Sequence, residues 1–323
     1  MPDAKPIQYR IVDRTPPAKG DERGEVIAAL LETPARIAPK YFYDELGCAL
    51  YGAICQLPEY YPTRTEVAIF REHRSEIAQA MGQGRQFVDL GAGDCCKAQS
   101  WLPFVNAARY IAVDIAGPEI ERALARMAPD FPEVEMIGVI ADFGAGLPLD
   151  DVLDPRGATF FYPGSSIGNF TPAEARVFLA KVKAQCDRRS GSGLLIGVDG
   201  KKGKARLDAA YDDALGVTAA FNRNVLLHLN ARFGFDFDLG GFVHRGFYSA
   251  DQGRVEMHLE ALRDQEVNLA GRRRSFAKGE RIHTENSYKY RVEEFAAVLH
   301  DAGFASVRHW ESPDSGYYVF FAS

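Results

Sequence analysis

The sequence predicts an α/β fold in which a mainly parallel sheet is covered by helices on both faces, with a second, smaller α+β domain. Short apolar runs alternate with amphipathic stretches between residues 86 and 200, which is typical of strands and helices in a parallel sheet. Residues 200–287 break this alternation with strand patterns of the antiparallel type, and a helix and two strands follow. The chain is therefore expected to contain one α/β domain with an insertion.

The N-terminal segment differs in composition from the rest of the chain. Residues 1–25 are polar and rich in Pro, Asp and Lys, and we expect them to be loose or to lie over the body of the protein. Apolar residues recur at helical spacing in residues 25–58, which predicts helices. A further helix is expected after Pro62, with Thr63 and Glu66 forming a capping box at its start.

The α/β region contains apolar runs that predict buried strands. The last of its helices has a clear start signal, with Thr171 as the cap, Pro172 at the first helical position and Glu174 as the capping partner. The predicted strands lie within residues 86–93, 110–116, 136–143, 158–170 and 194–200.

The insertion begins with residues 205–233, which predict one long helix. The basic run Arg272–Arg274 follows Gly271 and is expected at a solvated loop tip. Beyond the insertion, residues 292–304 predict a helix that ends near Gly303. The predicted strands of the insertion and of the C-terminal region lie within residues 242–249, 254–263, 265–271, 281–290, 306–312 and 317–323.

Composition excludes several classes of function. The 323 residues carry a net charge of −6, which argues against nucleic acid as a partner because phosphate binding needs a concentrated positive surface. No apolar run reaches the ~18–20 residues of a membrane-spanning helix. Five cysteines without CxxC spacing and seven scattered histidines indicate neither a disulfide framework nor a metal site. We expect a cytoplasmic protein with reduced thiols.

A glycine turn carries the first functional signal. Residues Asp89–Asp94 read DLGAGD directly after a predicted strand, and glycine lets the backbone turn sharply and approach a ligand closely. Asp114 ends the next predicted strand, where a carboxylate can accept hydrogen bonds from both ribose hydroxyls. Asp142 and Phe143 end the third, where they would lie beside an adenine. A dinucleotide-binding fingerprint needs Gly or Ala in place of Cys96, which disfavours a nicotinamide or flavin cofactor.

Together these features resemble the class I S-adenosylmethionine-dependent methyltransferases. The resemblance implies a Rossmann-like domain with a seven-stranded sheet that ends in an antiparallel hairpin. It also implies S-adenosyl-L-methionine as the methyl donor and no metal. Cys95 and Cys96 receive no role and are expected to be small packing residues. The cofactor-contacting positions that the resemblance implies are Gly91, Gly93, Lys97, Asp114, Asp142 and Phe143.

Longer motifs narrow the resemblance. The chain contains YFYDELG, LPEYYPTRTE, GSSIGNFTP, DAAYDDALGVTAAFNRNVL, VEMHL and HTENSYKYR, and these are together similar to the histidine Nα-methyltransferase family of ergothioneine biosynthesis. The resemblance implies Nα-trimethylation of L-histidine to hercynine by a monomer. It implies a methyltransferase domain of residues 61–198 and 288–323, and a substrate-recognition domain of residues 10–60 and 199–287.

The same resemblance implies the substrate-binding residues. Tyr60 and Asn169 would hold the amino-acid backbone of the substrate, and Tyr211 would reach its carboxylate. Glu285 and Ser287 lie two apart on a predicted strand and therefore share a face. Because an imidazole offers hydrogen-bonding nitrogens at two positions, these two side chains would bind one nitrogen each.

Two further residues complete the implied site. Met257 would pack against the imidazole, and Tyr43 would lie near the amine, so that Tyr43 and Asn169 are the candidate catalytic residues. Alternative interpretations stay open for five side chains. Met257 could be a core residue, Asn169 a turn residue before a helix cap, and Lys97 a surface charge. Tyr60 could be aromatic packing beside Pro62, and Tyr211 could be half-buried on a helix with its hydroxyl in water.

Other functions are compatible with parts of the sequence. An enzyme of the same family could act on another amine, such as a ring-substituted histidine or a tryptophan derivative, although Glu285, Ser287 and Met257 favour histidine over an indole. A nucleotide-dependent oxidoreductase is a more remote alternative. A non-catalytic binding protein is a third, which the intact YFYDE, SSIGN and ENS motifs disfavour.

Overall fold

The computed structural model describes residues 9–15, 21–144, 146–312 and 315–323. Within these ranges the chain forms fourteen strands in three sheets and eleven α-helices. The strands are β1 (Tyr9–Asp13), β2 (Ala35–Arg36), β3 (Gln86–Leu90), β4 (Arg109–Asp114), β5 (Glu135–Ile140), β6 (Ala158–Tyr162), β7 (Gly193–Asp199), β8 (Phe242–Ser249), β9 (Arg254–Ala261), β10 (Gln265–Leu269), β11 (Arg272–Phe276), β12 (Arg281–Tyr288), β13 (Val307–Glu311) and β14 (Tyr317–Ala322). The helices are α1 (Glu22–Leu31), α2 (Glu45–Ile54), α3 (Tyr61–Glu72), α4 (Arg74–Met81), α5 (Cys96–Gln99), α6 (Leu102–Val105), α7 (Gly117–Met127), α8 (Pro172–Asp187), α9 (Lys204–Tyr211), α10 (Val217–Phe233) and α11 (Val292–Asp301).

The largest sheet contains eight of the described strands in the order β1-β5-β4-β3-β6-β7-β14-β13. Neighbouring strands run parallel from β1 to β7, whereas β14 runs antiparallel to both β7 and β13. The predicted strands of the α/β region and the predicted C-terminal hairpin are therefore confirmed.

The sheet has eight strands rather than the predicted seven because β1 joins its edge. β1 pairs in parallel with β5, with Tyr9 opposite Met136. Ile11 packs with the apolar cluster on one face of the sheet and Val12 with the cluster on the other face, as the alternation of a strand requires. Covering both clusters at the sheet edge is the physical reason for the additional strand.

Two expectations for the N-terminus change as a result. Residues 1–25 are not uniformly loose, because they include β1 and the start of α1, while residues 1–8 and 16–20 lie outside the described ranges. Residues 10–13 belong to the large sheet rather than to the substrate-recognition domain. The remaining domain boundaries stay a prediction.

Apolar side chains at alternate strand positions form a core on each face of the large sheet. On one face Val88 belongs to the same cluster as Phe295 of α11 and side chains of α8. On the other face Phe87 belongs to a cluster with Leu124 of α7 and side chains of α3 and α4. Full burial of such a side chain contributes about 1.5–3 kcal/mol. These two cores hold the strand ends in place.

The second region is built around a four-stranded sheet in the order β2-β12-β9-β8. β12 runs antiparallel to β9, which in turn runs antiparallel to β8. Apolar side chains from this sheet form a third core with side chains of α2, α9 and α10. This core includes Phe42, Phe221 and Leu259, all nearly inaccessible to solvent.

The insertion differs from the sequence prediction in two places. The predicted long helix is divided into α9 and α10, because Gly216 at the start of α10 has a left-handed φ of 75° that ends helical geometry. The run Arg272–Arg274 lies in strand β11 rather than at a loop tip. β11 pairs with β10 across a turn at Ala270 and Gly271, both with positive φ.

The two predicted capping boxes have different outcomes. The Thr171–Glu174 box at the start of α8 is confirmed, with both reciprocal hydrogen bonds present. The Thr63–Glu66 box is wrong, because α3 begins at Tyr61 with Pro62 in its first turn. Glu66 is instead fully buried and points into the protein.

No helix in the described ranges combines the length and the apolar character needed to cross a membrane.

Candidate active site

The large sheet has a switch point between β3 and β6. These strands are neighbours, but the chain continues from β3 toward β4 and β5 on one side and from β6 toward β7 on the other. Open α/β sheets bind ligands at the carboxyl ends of the strands at such a point. Gly91 and Gly93 follow β3 with φ of 72° and 51°, and Gly164 follows β6 with φ of 79°. Backbone groups thus line this edge with few side chains in the way.

Asp114 holds the glycine turn from the end of β4. Its two carboxylate oxygens accept hydrogen bonds from the backbone N–H of Gly93 at 2.9 Å and of Ala116 at 3.0 Å. Burial raises the pKa of Asp114, although these backbone hydrogen bonds act in the opposite direction. The predicted contact of this carboxylate with a ribose remains a prediction.

Asp142 and Phe143 lie at the end of β5, on the same edge. The Phe143 ring meets Tyr162 edge-on with centroids 5.8 Å apart, and its tip lies 3.6 Å from where a Cβ of Gly91 would stand. Asp142 accepts a hydrogen bond from the N–H of Gly144 at 3.1 Å. Five of the six predicted cofactor residues are therefore gathered along the ends of β3, β4 and β5.

Lys97, the sixth, is held by a carboxylate that the sequence analysis assigned differently. Its Nζ donates to Glu66 Oε2 at 2.7 Å. The other oxygen of Glu66 accepts from the N–H of Gly164 at 2.7 Å and from the hydroxyl of Tyr317 at 2.6 Å. Burial alone would lower the pKa of Lys97, but the Glu66 carboxylate raises it above its ordinary value. Lys97 is therefore not simply a surface charge.

Glu66 thus ties the turn after β6 to α3, α5 and β14, and the sequence analysis missed this role. A signal was available, since Glu66 occupies the helical spacing of the apolar residues Pro62, Ile69 and Phe70. A charged residue in such a position is either exposed or, as here, paired inside the protein.

A pocket lies next to this edge, between the large sheet and the second region. The empty space in it is about 490 Å³, including the part open to solvent. All the predicted substrate-binding and catalytic residues line it, namely Tyr43, Tyr60, Asn169, Tyr211, Met257, Glu285 and Ser287.

Aromatic rings form one wall of the pocket. The Tyr43 ring meets Tyr51 at 6.0 Å and Phe221 at 6.1 Å between centroids, and Tyr51 meets Tyr60 at 6.5 Å. Burial raises the pKa of Tyr43, Tyr51 and Tyr60 well above the ordinary value, so these phenols are neutral. Tyr51 and Phe221 were not assigned a role from the sequence, although Phe221 lies within the motif DAAYDDALGVTAAFNRNVL and Tyr51 shortly follows YFYDELG.

Asn169 occupies the position that its motif predicts. It ends a short 3-10 turn at Ser166–Asn169, and Thr171 rather than Asn169 caps α8. The amide of Asn169 is thereby left to face the pocket that it lines. The interpretation of Asn169 as only a turn residue is less favoured by this geometry.

Glu285 is a buried carboxylate that lines the same pocket. It is 8% exposed, and no hydrogen bond to its side chain is formed within the described residues. Burial raises its pKa to about 7, with Lys289 acting in the opposite direction. Glu285 is paired across the strands with Met257, next to an irregularity in the register of β12. Both side chains line the pocket, so Met257 is a pocket residue as well as part of the third core.

Ser287 belongs to a buried polar network that the sequence analysis missed in part. Its Oγ lies 2.8 Å from the hydroxyl of Tyr211, and Lys289 Nζ donates to both oxygens at 2.8 Å and 2.9 Å. Lys289 also lies 3.0 Å from Asp199 Oδ2 at the end of β7. The period-two spacing of Glu285, Ser287 and Lys289 is the signal that could have found this lysine.

The opposite face of the same sheet carries a second group of polar side chains. Glu256, His258 and His283 place potential metal-ligating atoms within 4.8 Å of one another. Arg254 already pairs with Glu256 at 2.8 Å, which reduces the attraction of this group for a cation. We assign no metal to it.

The fold and the pocket define a class of protein. An α/β sheet that ends in the antiparallel β7-β14-β13 arrangement, with a glycine turn after β3 held by an acidic residue at the end of β4, is that of the class I S-adenosylmethionine-dependent methyltransferases. A family model described as histidine-specific methyltransferase, SAM-dependent, matches residues 22–323. The chain belongs to this family of S-adenosylmethionine-dependent, histidine-specific methyltransferases.

Individual relatives are similar over most of the chain. The histidine N-alpha-methyltransferase of Mycolicibacterium smegmatis is 39% identical over 297 residues, which cover 90% of this chain and 91% of that one. The histidine N-alpha-methyltransferase of Mycobacterium tuberculosis is 36% identical, with 91% and 92% covered. The ergothioneine biosynthesis protein 1 of Neurospora crassa is 30% identical, and the match covers 86% of this chain but 32% of that longer protein.

Proposed function

We propose that the protein transfers methyl groups from S-adenosyl-L-methionine to the α-amine of L-histidine, up to the trimethylated product hercynine, in ergothioneine biosynthesis. The observation that carries the proposal is the single pocket that joins the Asn169 turn, at the cofactor edge of the sheet, to a buried carboxylate, Glu285. A free amino acid with a polar ring could place its amine at the Asn169 turn and its ring at the Glu285 carboxylate.

The edge of the sheet fits the methyl donor. The left-handed glycines Gly91 and Gly93 leave room for a ligand against the backbone, and no atom lies within 4 Å of where a Cβ of Gly93 would stand. Asp114 offers carboxylate oxygens and Phe143 an apolar ring, which suit a ribose and an adenine. When bound, S-adenosylmethionine supplies an already activated methyl group, so the chain's residues have to position the amine and exclude water.

The amine end of the pocket suits a substrate whose charge increases during the reaction. Asn169 and Tyr60 can hold an amino group through neutral hydrogen bonds while leaving its lone pair available for attack. The rings of Tyr43, Tyr51 and Phe221 face the same space, and aromatic faces stabilise a methylated ammonium by cation–π interaction. Since the phenol of Tyr43 is neutral, we propose that it orients the amine rather than acting as a phenolate base.

The ring end of the pocket favours histidine over other amines. The Glu285 carboxylate can accept a hydrogen bond from an imidazole N–H, and Met257 offers an apolar contact to the ring. An amino acid without a ring N–H would leave this buried carboxylate unpaired, which costs about 1–3 kcal/mol or more. A ring-substituted histidine that keeps the N–H would still bind, so the alternative substrate within the family is of that kind.

Further parts of the proposal concern the whole protein. We propose that residues 61–198 and 288–323 bind the cofactor and that residues 199–287, with the segment before residue 61, recognise the substrate. We also propose a cytoplasmic monomer that acts on the free amino acid and not on nucleic acid, in keeping with the net charge of −6.

The test is incubation of the protein with S-adenosylmethionine and a panel of free amino acids, followed by mass spectrometry. We expect histidine alone to gain three methyl groups, with the mono- and dimethylated forms as intermediates. A Glu285→Ala variant should lose most of this turnover at low histidine concentration. Absence of turnover on any amino acid would overturn the proposed function, and turnover on a different amine only would replace its substrate.

A further inference from the structure

Lys289 is a fully buried lysine directly behind the ring end of the pocket. Its Nζ has three oxygen neighbours, Ser287 Oγ at 2.8 Å, the hydroxyl of Tyr211 at 2.9 Å and Asp199 Oδ2 at 3.0 Å. An ammonium has three N–H donors and no acceptor. Each donor therefore has one acceptor, and the orientation of the lysine is fixed.

This arrangement restricts the two hydroxyl groups. Ser287 Oγ and the hydroxyl of Tyr211 both accept from Lys289, and they lie 2.8 Å from each other. One of their two protons lies in the hydrogen bond between them, whichever group donates it. The other proton has no acceptor among the described residues, and both hydroxyl groups line the pocket. Two hydroxyl groups have two protons and four lone pairs, so after the bonds to Lys289 and to each other the pair keeps one proton and one lone pair for a bound ligand.

Glu285 presents the complementary group on the same face of β12. Its buried carboxylate accepts hydrogen bonds, so the ring end of the pocket offers this acceptor beside the remaining hydroxyl proton. A neutral imidazole carries one N–H and one unprotonated nitrogen, whereas an imidazolium carries two N–H groups. The neutral ring pairs with both the carboxylate and the remaining proton, whereas an imidazolium has no acceptor nitrogen and leaves that proton buried without a partner.

The charges around the ring end also favour a neutral ring over an imidazolium. Asp199 is shared between Lys289 and Lys202, so this trio carries one net positive charge, which the Glu285 carboxylate balances. A neutral ring keeps the buried region neutral, whereas an imidazolium adds a positive charge at low dielectric. The titratable or charged groups that face the ring end or Lys289 from the surrounding elements are Tyr43, Tyr60, Tyr61, Asp199, Lys202, Tyr211 and Glu285.

We propose that Lys289 is a positioning and specificity-determining residue, which sets Ser287 and Tyr211 as a hydrogen-bond donor and thereby makes the pocket select the neutral imidazole of its substrate. The inference rests on the proposed function, because it takes histidine as the ligand. It adds a residue that touches only protein groups yet decides which protonation state of the ligand is bound.

The test compares two ligands across pH. Dissociation constants are measured by calorimetry between pH 5 and pH 8 for histidine and for 1,2,4-triazolylalanine, whose ring offers a similar N–H and acceptor nitrogen but stays neutral in this range. Titration of Glu285 affects both ligands alike, so the ratio of the two constants isolates the imidazole. In the wild-type protein we expect the dissociation constant of histidine, divided by that of triazolylalanine, to rise about tenfold for each pH unit that the pH falls below the imidazole pKa of ~6.5.

A Lys289→Met variant should flatten this rise. Without the ammonium, the hydroxyl groups can turn and accept a second N–H, and an imidazolium no longer adds an uncompensated charge. Asp199 keeps Lys202 as its partner, so the variant does not leave a buried carboxylate unpaired. Lys202→Met is the matched control, because Lys202 contacts Asp199 and Tyr61 but neither pocket hydroxyl. It removes the same unit of charge from the trio but leaves both pocket hydroxyls bound to Lys289. It should therefore keep most of the wild-type rise, which neither a net-charge effect alone nor a merely structural role of the Asp199 pairs would predict.

The outcomes are distinguishable from a failure of the proposed function. If the wild-type protein neither binds nor methylates histidine, the proposed function is wrong. If it binds histidine but the ratio is constant with pH, or if Lys289→Met rises like the wild type, the role of Lys289 is wrong. Whether the ratio changes with pH is decided by the wild-type protein alone, so the role of Lys289 can be contradicted even if the Lys289→Met variant does not fold.

Discussion

At the scale of single residues, Glu285 shows how a carboxylate proposed to bind the substrate can lower the stability of the ligand-free protein. Its carboxylate is buried without a hydrogen bond from the described residues, and burial raises its pKa to about 7. A carboxyl with a raised pKa stabilises the fold below its unfolded pKa of 4.5, and this stability is lost as the pH rises through the folded pKa. In the ligand-free protein the ionised Glu285 should therefore lower the free energy of unfolding above neutral pH.

Replacement of Glu285 by Gln should remove that destabilisation. Because the difference between the folded and unfolded pKa corresponds to about 3 kcal/mol, we expect the ligand-free Glu285→Gln variant to gain stability over the wild type by about 2 kcal/mol more at pH 8 than at pH 5. Urea unfolding at the two pH values measures the difference. Asp89 shifts in the same direction as Glu285 but is present in both proteins and cancels.

A surface replacement provides the control. Glu293 is exposed on α11, and Glu293→Gln should change the free energy of unfolding by less than about 0.5 kcal/mol at either pH. An equal gain for Glu285→Gln at both pH values would show that the charge of Glu285 is not the cause.

Which residues could be predicted follows from the kind of signal they carry. Glu285 and Ser287 share a strand face, and period-two alternation identifies this from sequence alone. Lys289 has the same phase, but its burial depends on Asp199, some ninety residues earlier in the chain, and no local pattern reports such a partner. Glu66 was assigned to a capping box because local spacing allowed it, whereas tertiary pairing with Lys97 decided its position.

At the scale of elements, the contact between the 3-10 turn at Ser166–Asn169 and β12 joins the two ends of the pocket. Gly168 sits in this contact, where a Cβ would lie 2.9 Å from the backbone oxygen of Tyr288 and 3.3 Å from Ser287 Oγ. Backbone atoms cannot turn aside as a side chain can. The distance between the groups proposed to bind the amine and the ring thus depends on the absence of a side chain at Gly168.

A Gly168→Ala replacement should separate the turn from β12. We expect the KM for histidine to rise by roughly tenfold or more and the free energy of unfolding to fall by about 1–3 kcal/mol, as is usual for overpacking. Steady-state kinetics and urea unfolding measure the two effects. Gly203→Ala is the matched control, because nothing lies within 4 Å of its Cβ position and its φ of −57° suits any residue. A Gly168→Ala variant with wild-type KM would show that the contact does not set the pocket.

Elements with strong periodicity were predicted well, and the errors lie where a few residues decide. Apart from β1, the strands of the large sheet agree with their patterns, and so does α8. The division between α9 and α10 depends on the conformation of Gly216 within an otherwise helical pattern. β11 was missed because arginines are not typical of strands, yet pairing with β10 overrides that preference.

At the scale of the whole molecule, a buried charge network joins the large sheet to the second region. Asp199 at the end of β7 pairs with Lys289 after β12 and with Lys202, and it accepts a hydrogen bond from Tyr61 of α3 at 2.7 Å. Burial alone would raise the pKa of Asp199, but the two lysines lower it below the ordinary value. The stability from this group is present above the unfolded pKa and is lost as the pH falls.

An Asp199→Asn replacement should destabilise both regions together. Two buried lysines would lose their counter-charge, and we expect a loss of about 3–5 kcal/mol at neutral pH, with one cooperative transition retained. Scanning calorimetry measures the midpoint and the number of transitions. Asp187→Asn, which removes an exposed ion pair with Lys183 on α8, should cost no more than about 1 kcal/mol. Two separated transitions in Asp199→Asn would show that the network is the main link between the regions, and an unchanged midpoint would show that it contributes no stability.

The overall architecture could be predicted because class-specific motifs lie on strand ends, and strand ends meet at one edge of a parallel sheet. The eighth strand could not, since β1 is short and polar at both ends, and its pairing partner is distant in sequence. Long-range pairing of this kind has no local signature.

The position of β1 has a consequence for synthesis of the protein. Its partner β5 lies more than a hundred residues later in the chain, so β1 leaves the ribosome long before any strand that it can pair with. Until β1 docks, this strand and, once it is made, the edge of β5 are both open to wrong partners. Docking of β1 then covers the edge of β5, so a strand made early has to wait for a partner made much later.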